Sequence, residues 1–205
     1  MRPHAERHYN VEEYFAIEES SAIRHEFYGG EIFAMAGASL RHNRLVGNVY
    51  ATLRTRLEGS PCEAFSHDLR VRTPGGLYTY PDVLVICGGI ELSTDDRLDT
   101  VLNPTMLVEV LSDSTRDYDR GGKFALYREL PSLREYLLIE QTTVLVEHYT
   151  SPALAGVSMR DEWPRQQYTN AQARLTLASL GVDLSLAEIY ARVDVGGAPL
   201  SDETS

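Results

Sequence analysis

The chain carries two short apolar runs, YPDVLVI at residues 80–86 and LVEVLS at residues 107–112, and each run holds one carboxylate. Runs of this length that end at glycine or at Ser-Asp are typical of buried β-strands. A carboxylate inside such a strand is costly unless it is paired, hydrogen-bonded or bound to a metal. Asp82 and Glu109, on two strands that we expect to be neighbours, therefore need a common explanation.

A shared divalent cation is the simplest common explanation for the two carboxylates. Carboxylate oxygens, together with a nearby backbone carbonyl, are the ligands that Mg²⁺ or Mn²⁺ prefers. Each residue alone has an ordinary alternative, because Asp82 after a proline can cap a turn and Glu109 can lie on a solvated edge. Residues 107–111 do not alternate between apolar and polar, so no polar face is available for an exposed Glu109.

The segment after the second run predicts a helix that folds back towards the carboxylate pair. Residues 114–117 combine Ser and Thr with acids, which is typical of a helix N-terminus. Asp119, Lys123 and Tyr127 are four residues apart and share one helix face. The glycines at 121–122 each cost about 1 kcal/mol in a helix and indicate a late helix start or a close backbone approach. The Lys123 cation lies either beside the carboxylate pair or in a surface ion pair with Asp119.

Taken together, these residues resemble the Uma2 family of restriction endonucleases, within the PD-(D/E)XK nuclease superfamily. The resemblance covers roughly residues 10–150 as an ordered series. It implies an α/β (α+β) fold with a restriction-endonuclease-like core, in which a mixed central β-sheet is flanked by helices. The matching text is Tyr28-Gly29-Gly30-Glu31-Ile32, Met35, His42, Pro81-Asp82-Val83, Asn103-Pro104, Glu109-Val110-Leu111-Ser112, residues 114–120, Lys123, Tyr127 and Glu135-Tyr136.

The resemblance assigns roles to the acids and the lysine. Asp82 and Glu109 would be metal ligands, and Lys123 would replace the lysine that usually follows the acid by two residues. That usual position holds Leu111 here. A second departure, the text PSLREYL at residues 131–137, is expected to alter a loop and not the site.

Two further residues enter the site only through the resemblance. Glu31, at the end of a predicted hairpin turn, would complete the metal shell. His42, near the start of a predicted helix, would orient a water or contact the scissile phosphate as a neutral imidazole. Each has an ordinary alternative as a surface residue.

The composition indicates one globular domain, which we expect to span residues 1–195, followed by a polar tail at residues 196–205. There is no run of about 18 apolar residues and no apolar leader core, so we expect a cytoplasmic protein without a membrane span. The two cysteines, Cys62 and Cys87, lack metal-binding spacing, and we expect free thiols.

The formal net charge of −11 argues against nonspecific coating of nucleic acid. The charge is unevenly distributed, because residues 41–72 carry six arginines against three acids and residues 183–205 carry one arginine against five acids. The basic segment is either a DNA-facing surface or a solvated helix face.

The remaining pattern predicts the elements around the site. A capping box at Asn10 and Glu13 begins a short helix, and Ser39 caps a longer helix with an apolar stripe at period four. A second capping box, Ser185 with Glu188, begins a final short helix. We expect a hairpin at residues 24–35 around Gly29-Gly30, strands at residues 63–66, 69–73, 79–86, 107–111, 134–139 and 144–149, and a polar loop at residues 91–105.

The sequence therefore predicts an endonuclease that uses Mg²⁺ or Mn²⁺ to hydrolyse DNA phosphodiesters. The cation would be held by Asp82, Glu109 and the carbonyl of Val110, with Lys123 stabilising charge on the reacting phosphate. We also expect a homodimer, since double-strand cleavage by single-site nucleases needs two sites. Two alternatives stay open, an inactive nuclease-fold binding or structural module and a metal-free glycosidase that uses Asp82 and Glu109 as acid and base.

Overall fold

The computed structural model describes residues 8–35, 37–66, 68–94, 96, 99–156 and 162–196. No helix among them is long and apolar enough to cross a membrane. Residues 197–205 of the predicted tail lie outside the described residues. In chain order the elements are α1 (Val11–Ser20), β1 (His25–Tyr28), β2 (Glu31–Ala34), α2 (Leu40–Arg56), β3 (Cys62–Ser66), β4 (Arg70–Arg72), β5 (Tyr78–Thr79), β6 (Val83–Cys87), β7 (Thr100–Val101), β8 (Met106–Leu111), α3 (Arg116–Arg120), α4 (Gly122–Tyr127), β9 (Glu135–Glu140), β10 (Val146–Thr150), α5 (Pro152–Ala155), β11 (Arg165–Tyr168), β12 (Arg174–Leu177), β13 (Val182–Ser185) and α6 (Leu186–Ile189).

A six-stranded mixed sheet, in the order β11-β10-β9-β8-β6-β3, forms the centre of the fold. β8 and β9 are parallel, and the other neighbours are antiparallel. The apolar stripe of α2, which includes Leu45, Val49 and Leu53, packs on one face of this sheet. Phe124 and Tyr127 of α4 belong to the core on the other face. The predicted mixed sheet flanked by helices is confirmed.

β8 is buried at all six of its positions, as expected for a strand covered on both faces. Val108 and Val110 lie in the core under α2, whereas Leu107 and Leu111 lie in the core under α4. Because side chains alternate along a strand, Glu109 shares the face of Leu107 and Leu111. It therefore points into the space beneath α4 and not into solvent.

A second sheet has the order β2-β1-β5-β4-β7. It contains the first residue of the strand predicted at residues 79–86. The prediction of one continuous strand was wrong, because Thr79 ends β5 in the second sheet and Val83 begins β6 in the first. Pro81 has no N–H for a ladder hydrogen bond, so it favours a break in pairing. The chain crosses between the sheets at residues 80–82, which places Asp82 at the junction.

The loop predicted at residues 91–105 is also only partly correct. Within it, β7 pairs in parallel with β4, and Thr100 lies opposite Arg70. A strand of two residues is too short to produce a periodic pattern, so no local signal indicated it.

The predicted helix starts are confirmed. Asn10 and Glu13 form the capping box of α1, and the Ser39 hydroxyl caps α2. The helix that follows β8 is divided at Gly121 into α3 and α4. A Cβ on Gly121 would lie 3.0 Å from the carbonyl oxygen of Asp117, so the close backbone approach that the glycines suggested is present.

The prediction of free thiols was wrong, because Cys62 and Cys87 form a disulfide. The register of β3 and β6 places the two cysteines directly opposite each other. Their separation of 25 residues in the sequence provided no indication of this pairing.

Candidate functional site

Asp82 lies where the pairing of β6 with β8 ends. The register that pairs Val83 with Val108, continued by one residue, sets Asp82 opposite Glu109. Asp82 Oδ2 accepts a hydrogen bond from the N–H of Val110 at 2.7 Å. The side chain thus takes the place of a ladder partner, and this contact fixes the carboxylate beside Glu109.

His42, in the first turn of α2, contacts the other oxygen of Asp82. Its Nε2 lies 3.2 Å from Asp82 Oδ1. The Ser39 hydroxyl accepts the His42 N–H at 3.0 Å and so fixes the first turn that carries the imidazole. The buried Nδ1 of His42 has no hydrogen-bond partner among the described residues. The structure therefore places His42 beside Asp82, as the resemblance implied.

Glu109 is buried and receives two donors from α4. The Tyr127 hydroxyl donates to Glu109 Oε1 at 2.7 Å, and Lys123 Nζ lies 2.9 Å from the same oxygen. The predicted placement of Lys123 beside Glu109 is confirmed, as is the helix face that Lys123 shares with Asp119 and Tyr127.

The Lys123 ammonium is surrounded by carboxylates. Nζ lies 2.8 Å from Glu26 Oε1 and 3.7 Å from Asp119 Oδ1, in addition to its contact with Glu109. Asp82 is held separately, by His42 and by the backbone. We call Asp82, Glu109, Glu26 and Asp119, together with Lys123, the lysine cluster.

Lys123 is also the only lysine in the chain, since the other 18 of its 19 lysines and arginines are arginine. Lysine carries a compact charge with three donors, whereas arginine carries a wide planar fork. The side chain is only 5% exposed, and a compact ammonium suits such an enclosed space between carboxylates.

Glu26 is the site residue that the sequence did not reveal. It lies in β1, at the start of the predicted hairpin, where a glutamate ordinarily faces solvent. It becomes buried because the second sheet packs against α4, and the Thr79 hydroxyl also donates to its Oε1. The alternative of a surface ion pair between Asp119 and Lys123 was wrong, because Asp119 is only 3% exposed.

Glu31 lies on the same face of the hairpin as Glu26 but nearer the turn. β1 and β2 pair Glu26 with Phe33 and Tyr28 with Glu31, and residues paired in this way share a face. The Glu31 side chain is exposed. Among the described contacts of Lys123, the hairpin contributes Glu26 and not Glu31.

The lysine cluster carries more negative than positive charge. The pKa of Glu109 is raised to about 8, chiefly by burial. The charge of Lys123 lowers this pKa, and the charges of Asp119 and Asp82 raise it. Burial also raises the pKa of Asp119. Burial alone would lower the pKa of Lys123, but the charges around it, first that of Glu109, hold this pKa well above its ordinary value. The cluster therefore favours an additional cation.

The donor set of the cluster fits a hard divalent cation. No three His, Cys, Asp or Glu side chains converge as a metal-binding group anywhere in the described part of the chain. Mg²⁺ needs no such cage, because it keeps several waters and binds through one or two carboxylates. Asp82, Glu109 and the carbonyl of Val110, the residue after Glu109 in β8, are oxygen donors of the kind that such a partial shell uses, whereas zinc would require more nitrogen or sulfur ligands.

A groove of about 250 Å³ opens beside Asp82. Its walls include Arg24, Met35 and Tyr80, and Arg24 forms an exposed ion pair with Asp68 at 3.0 Å. A larger cavity of about 530 Å³ lies at the connection between α2 and β3 and contains none of the site residues. The groove therefore reaches the cluster at Asp82.

The basic segment at residues 41–72 does not form one free cationic face. Four of its six arginines make contacts within the protein, through carbonyl oxygens, carboxylates or hydroxyls. They are Arg44 with the carbonyl of Arg192, Arg56 with Glu188, Arg70 with Thr100 and Tyr80, and Arg72 with Asp96.

Comparison with known proteins agrees with this geometry. The sequence profile of the Uma2 family, described as "Putative restriction endonuclease", matches residues 11–188. The uncharacterized protein slr1290 of Synechocystis sp. is 36% identical over 182 residues, which cover 87% of this chain and 90% of the relative. A second uncharacterized Synechocystis protein, sll1609, is 41% identical over 138 residues, covering 67% of this chain and 77% of the relative.

A solved structure shows the same fold. The crystal structure of a putative nuclease belonging to DUF820 from Anabaena variabilis aligns with a TM-score of 0.66 and 15% identity. The alignment covers 83% of this chain and 91% of that chain. At this identity the likeness shows that the two chains share a fold and nothing further.

Proposed function

Because this chain belongs to the Uma2 family of putative restriction endonucleases, we propose that it is an endonuclease that hydrolyses DNA phosphodiesters with Mg²⁺ or Mn²⁺. The observation that carries the proposal is the lysine cluster, in which Asp82 and Glu109 lie side by side with Lys123 2.9 Å from Glu109. The family match favours this proposal over a metal-free glycosidase, which would need a sugar-binding cleft around the two carboxylates.

Asp82, Glu109 and the Val110 carbonyl are the proposed cation ligands. A cation held there would lower the pKa of a bound water and neutralise a phosphate oxygen. The Val110 N–H and His42 orient Asp82, and Tyr127 orients Glu109. These contacts leave the carboxylates little freedom to rotate away from the site.

Lys123 is the proposed electrostatic catalyst. Its ammonium stays charged among the carboxylates and can donate to a phosphate oxygen as negative charge develops in the transition state. In hydrolysis a water oxygen bonds to phosphorus, the bond from phosphorus to the leaving oxygen breaks, and the leaving oxygen ends up protonated. His42 Nδ1, which lacks a partner among the described residues, is positioned to hold a water. Glu31, whose side chain is exposed, would complete the metal shell from the edge of the site.

The direct test is cleavage of plasmid and oligonucleotide DNA by the purified chain with Mg²⁺, Mn²⁺ or EDTA. We expect Asp82→Ala and Glu109→Ala to abolish metal-dependent cleavage and to keep the fold. Glu58→Ala, which alters an exposed glutamate far from the site, is the matched control and should cleave like the wild type. If both site variants cleave like the wild type, the assignment is wrong. An inactive module would cleave under none of these conditions.

We further propose that the protein acts as a homodimer, because cutting two strands of a DNA substrate with one site per chain requires two chains. Light scattering at tens of micromolar, with and without DNA, should give the mass of two chains. A monomer under both conditions would exclude this part of the proposal.

We also propose a cytoplasmic location. Reducing conditions there would open the bond between Cys62 and Cys87. Cys87 ends β6, whereas Asp82 precedes its first residue, so the bond lies at the far end of that strand from the site. Cleavage should therefore be unchanged by a thiol reductant, and a loss of activity on reduction would contradict the proposed location.

A further inference from the structure

The hairpin that supplies Glu26 also carries exposed aromatic side chains beside the site. Phe33 is 47% exposed and Tyr28 is 40% exposed, although both are large and apolar. Most large apolar side chains of the described residues lie instead in the cores. The position of these two rings relative to the lysine cluster therefore needs an explanation.

Strand register places both rings on the face that points towards the cluster. Phe33 is paired directly with Glu26, and Tyr28 is two residues from Glu26 along β1. Paired residues have Cβ atoms about 5 Å apart on one face of the sheet. The opposite face is occupied by Phe27 and Ile32, which pack against α1. On the hairpin face that carries Glu26, the part next to Lys123 is therefore buried, whereas the part formed by Phe33 and Tyr28 is an exposed aromatic surface.

A third ring lies on the α3 side of the same cluster. Tyr118 is 37% exposed. Tyr118 directly precedes Asp119 of the cluster in α3, and its ring lies against Gly122, which precedes Lys123 in the chain. We call Tyr28, Phe33 and Tyr118 the aromatic lip.

The charge of the chain limits how it can hold DNA. Duplex binding draws much of its affinity from lysine and arginine at phosphates. Here the formal net charge is −11, the single lysine is enclosed by carboxylates, and four arginines of the basic segment make internal contacts. Stacking of bases on aromatic rings is the other general source of affinity, and it requires bases that are not paired within a duplex.

We propose that the aromatic lip is a base-stacking subsite, and that the site takes DNA whose nucleotides next to the scissile phosphate are unpaired. The proposal rests on the endonuclease function proposed above and specifies its substrate class. Single strands, flaps and open junctions fit this class. The proposed homodimer would bring two such sites to one junction.

The test compares three DNA probes in EDTA, so that binding is read without cleavage. The probes are fluorescein-labelled dT12, an abasic phosphodiester strand of the same length, and a 12-base-pair duplex. We expect the wild type to bind dT12 more tightly than the duplex. Tyr28→Ala and Phe33→Ala should each weaken dT12 binding by about tenfold and leave the abasic strand unchanged.

Matched variants separate stacking from apolar contact and from loss of structure. Phe33→Trp should keep the affinity for dT12, whereas Phe33→Leu should lose it although it stays apolar. Ile90→Ala removes an apolar side chain that is also 47% exposed, beyond the end of β6 remote from Asp82, and should change nothing. All variants should melt like the wild type, because the substituted side chains are exposed.

Several outcomes would overturn the proposal. They are tighter binding to duplex than to dT12, equal weakening on the normal and abasic strands, or a Phe33→Ala variant that changes only the oligomeric state in light scattering. The last would identify β2 as a contact between copies of the chain. If the lip variants lose dT12 binding but the wild type cleaves no DNA with Mg²⁺ or Mn²⁺, the endonuclease function fails and the stacking subsite stands. Cleavage without lip-dependent binding would exclude the stacking subsite and leave the endonuclease function in place.

Discussion

Two buried polar clusters on the central sheet each contain a glutamate, but the groups that surround the two glutamates differ. Glu135 in β9 is fully buried, and its oxygens accept from His148 at 2.9 Å, from the N–H groups of Ala178 and Ser179 at 3.2 and 3.1 Å, and from the Ser179 hydroxyl. Glu109 in β8 is likewise buried but shares one lysine with Glu26 and Asp119. The first glutamate is matched by donors from an imidazole, a hydroxyl and the backbone. The second lies among like charges.

The difference supports a structural role for Glu135 and the functional role that we propose for Glu109. The donors around Glu135 connect the turn after β12 to the central sheet. The Glu135 carboxylate therefore needs no further hydrogen-bond partner from solvent. Around Glu109 the carboxylates outnumber the cation. Burial first, and then the charges of Asp119 and Asp82, raise the pKa of Glu109 to about 8 against the opposing effect of Lys123. Perturbed groups of this kind are concentrated at functional sites, where a ligand supplies the missing charge.

The largest expected effect follows from removing the single lysine. Lys123→Met keeps the apolar stem and deletes the ammonium, so the cleavage rate should fall by about 10²- to 10³-fold, as for loss of one preorganised donor. DNA affinity should change much less, because the ammonium acts on developing charge. Single-turnover cleavage and anisotropy measure the two quantities separately.

Two variants guard the Lys123 experiment against misinterpretation. Arg54→Met removes an exposed cation outside the cluster and should keep the wild-type rate. If Lys123→Met is unstable, Lys123→Met with Glu26→Gln removes a carboxylate together with the ammonium and should restore the fold. Equal losses in rate and in affinity for Lys123→Met would make Lys123 a binding residue.

The stability of two glutamine variants tests the comparison itself. Glu135→Gln replaces an acceptor with an amide N–H₂ that faces donors, so it should lower the free energy of unfolding by about 1–3 kcal/mol. Glu109→Gln removes a buried like charge and should leave the melting temperature in EDTA unchanged or raised. Urea and thermal melts of both variants provide the measurement. Equal destabilisation by the two would remove the distinction between the clusters.

The pH dependence of stability should report the same imbalance. The ordinary pKa of a glutamate is 4.5, and the pKa of Glu109 rises to about 8 in the folded chain. A raised carboxylate pKa gives stability that is fully present below the unfolded value and is lost as pH rises through the folded value. In EDTA the wild type should therefore lose stability relative to Glu109→Gln between about pH 4.5 and 8, with no further loss above that range. Parallel melting curves across this range would contradict the raised pKa.

The smallest effect is expected at Tyr127. Tyr127→Phe removes the hydroxyl that donates to Glu109 at 2.7 Å and keeps the ring in the core. Loss of one such hydrogen bond, about 1 kcal/mol, should slow cleavage roughly fivefold. Tyr149→Phe is the matched control, since its hydroxyl donates at 2.9 Å to Glu147, outside the lysine cluster. A similar loss in the control would show a general packing effect.

Local patterns predicted the helices and the main strands of this fold. The capping contacts and the apolar stripe of α2 depend on residues that are only a few positions apart, so the sequence pattern alone reveals them. The uninterrupted apolar run around Glu109 likewise indicated a strand covered on both faces, and with it the buried acid.

Contacts between distant parts of the chain were less predictable. Residues 79–86 look like one strand, and only the packing of two sheets shows that the chain changes sheet at Pro81. Glu26 and the Cys62–Cys87 bond depend on which strands are neighbours, and local pattern carries no such information. The resemblance to the family supplied His42, but the hairpin residue that contacts Lys123 is Glu26 and not Glu31.

Calorimetric titration of the metal-free chain with Mg²⁺ or Mn²⁺ tests most directly whether the lysine cluster is a cation site. We expect one saturable site in the wild type and in Glu135→Gln, and loss of binding in Asp82→Asn and Glu109→Gln. Binding near neutral pH should release protons, because burial raises the pKa of Glu109 and a cation ligand must be deprotonated. Equal binding by the wild type, Asp82→Asn and Glu109→Gln, or no binding by the wild type, would contradict a cation site in this cluster.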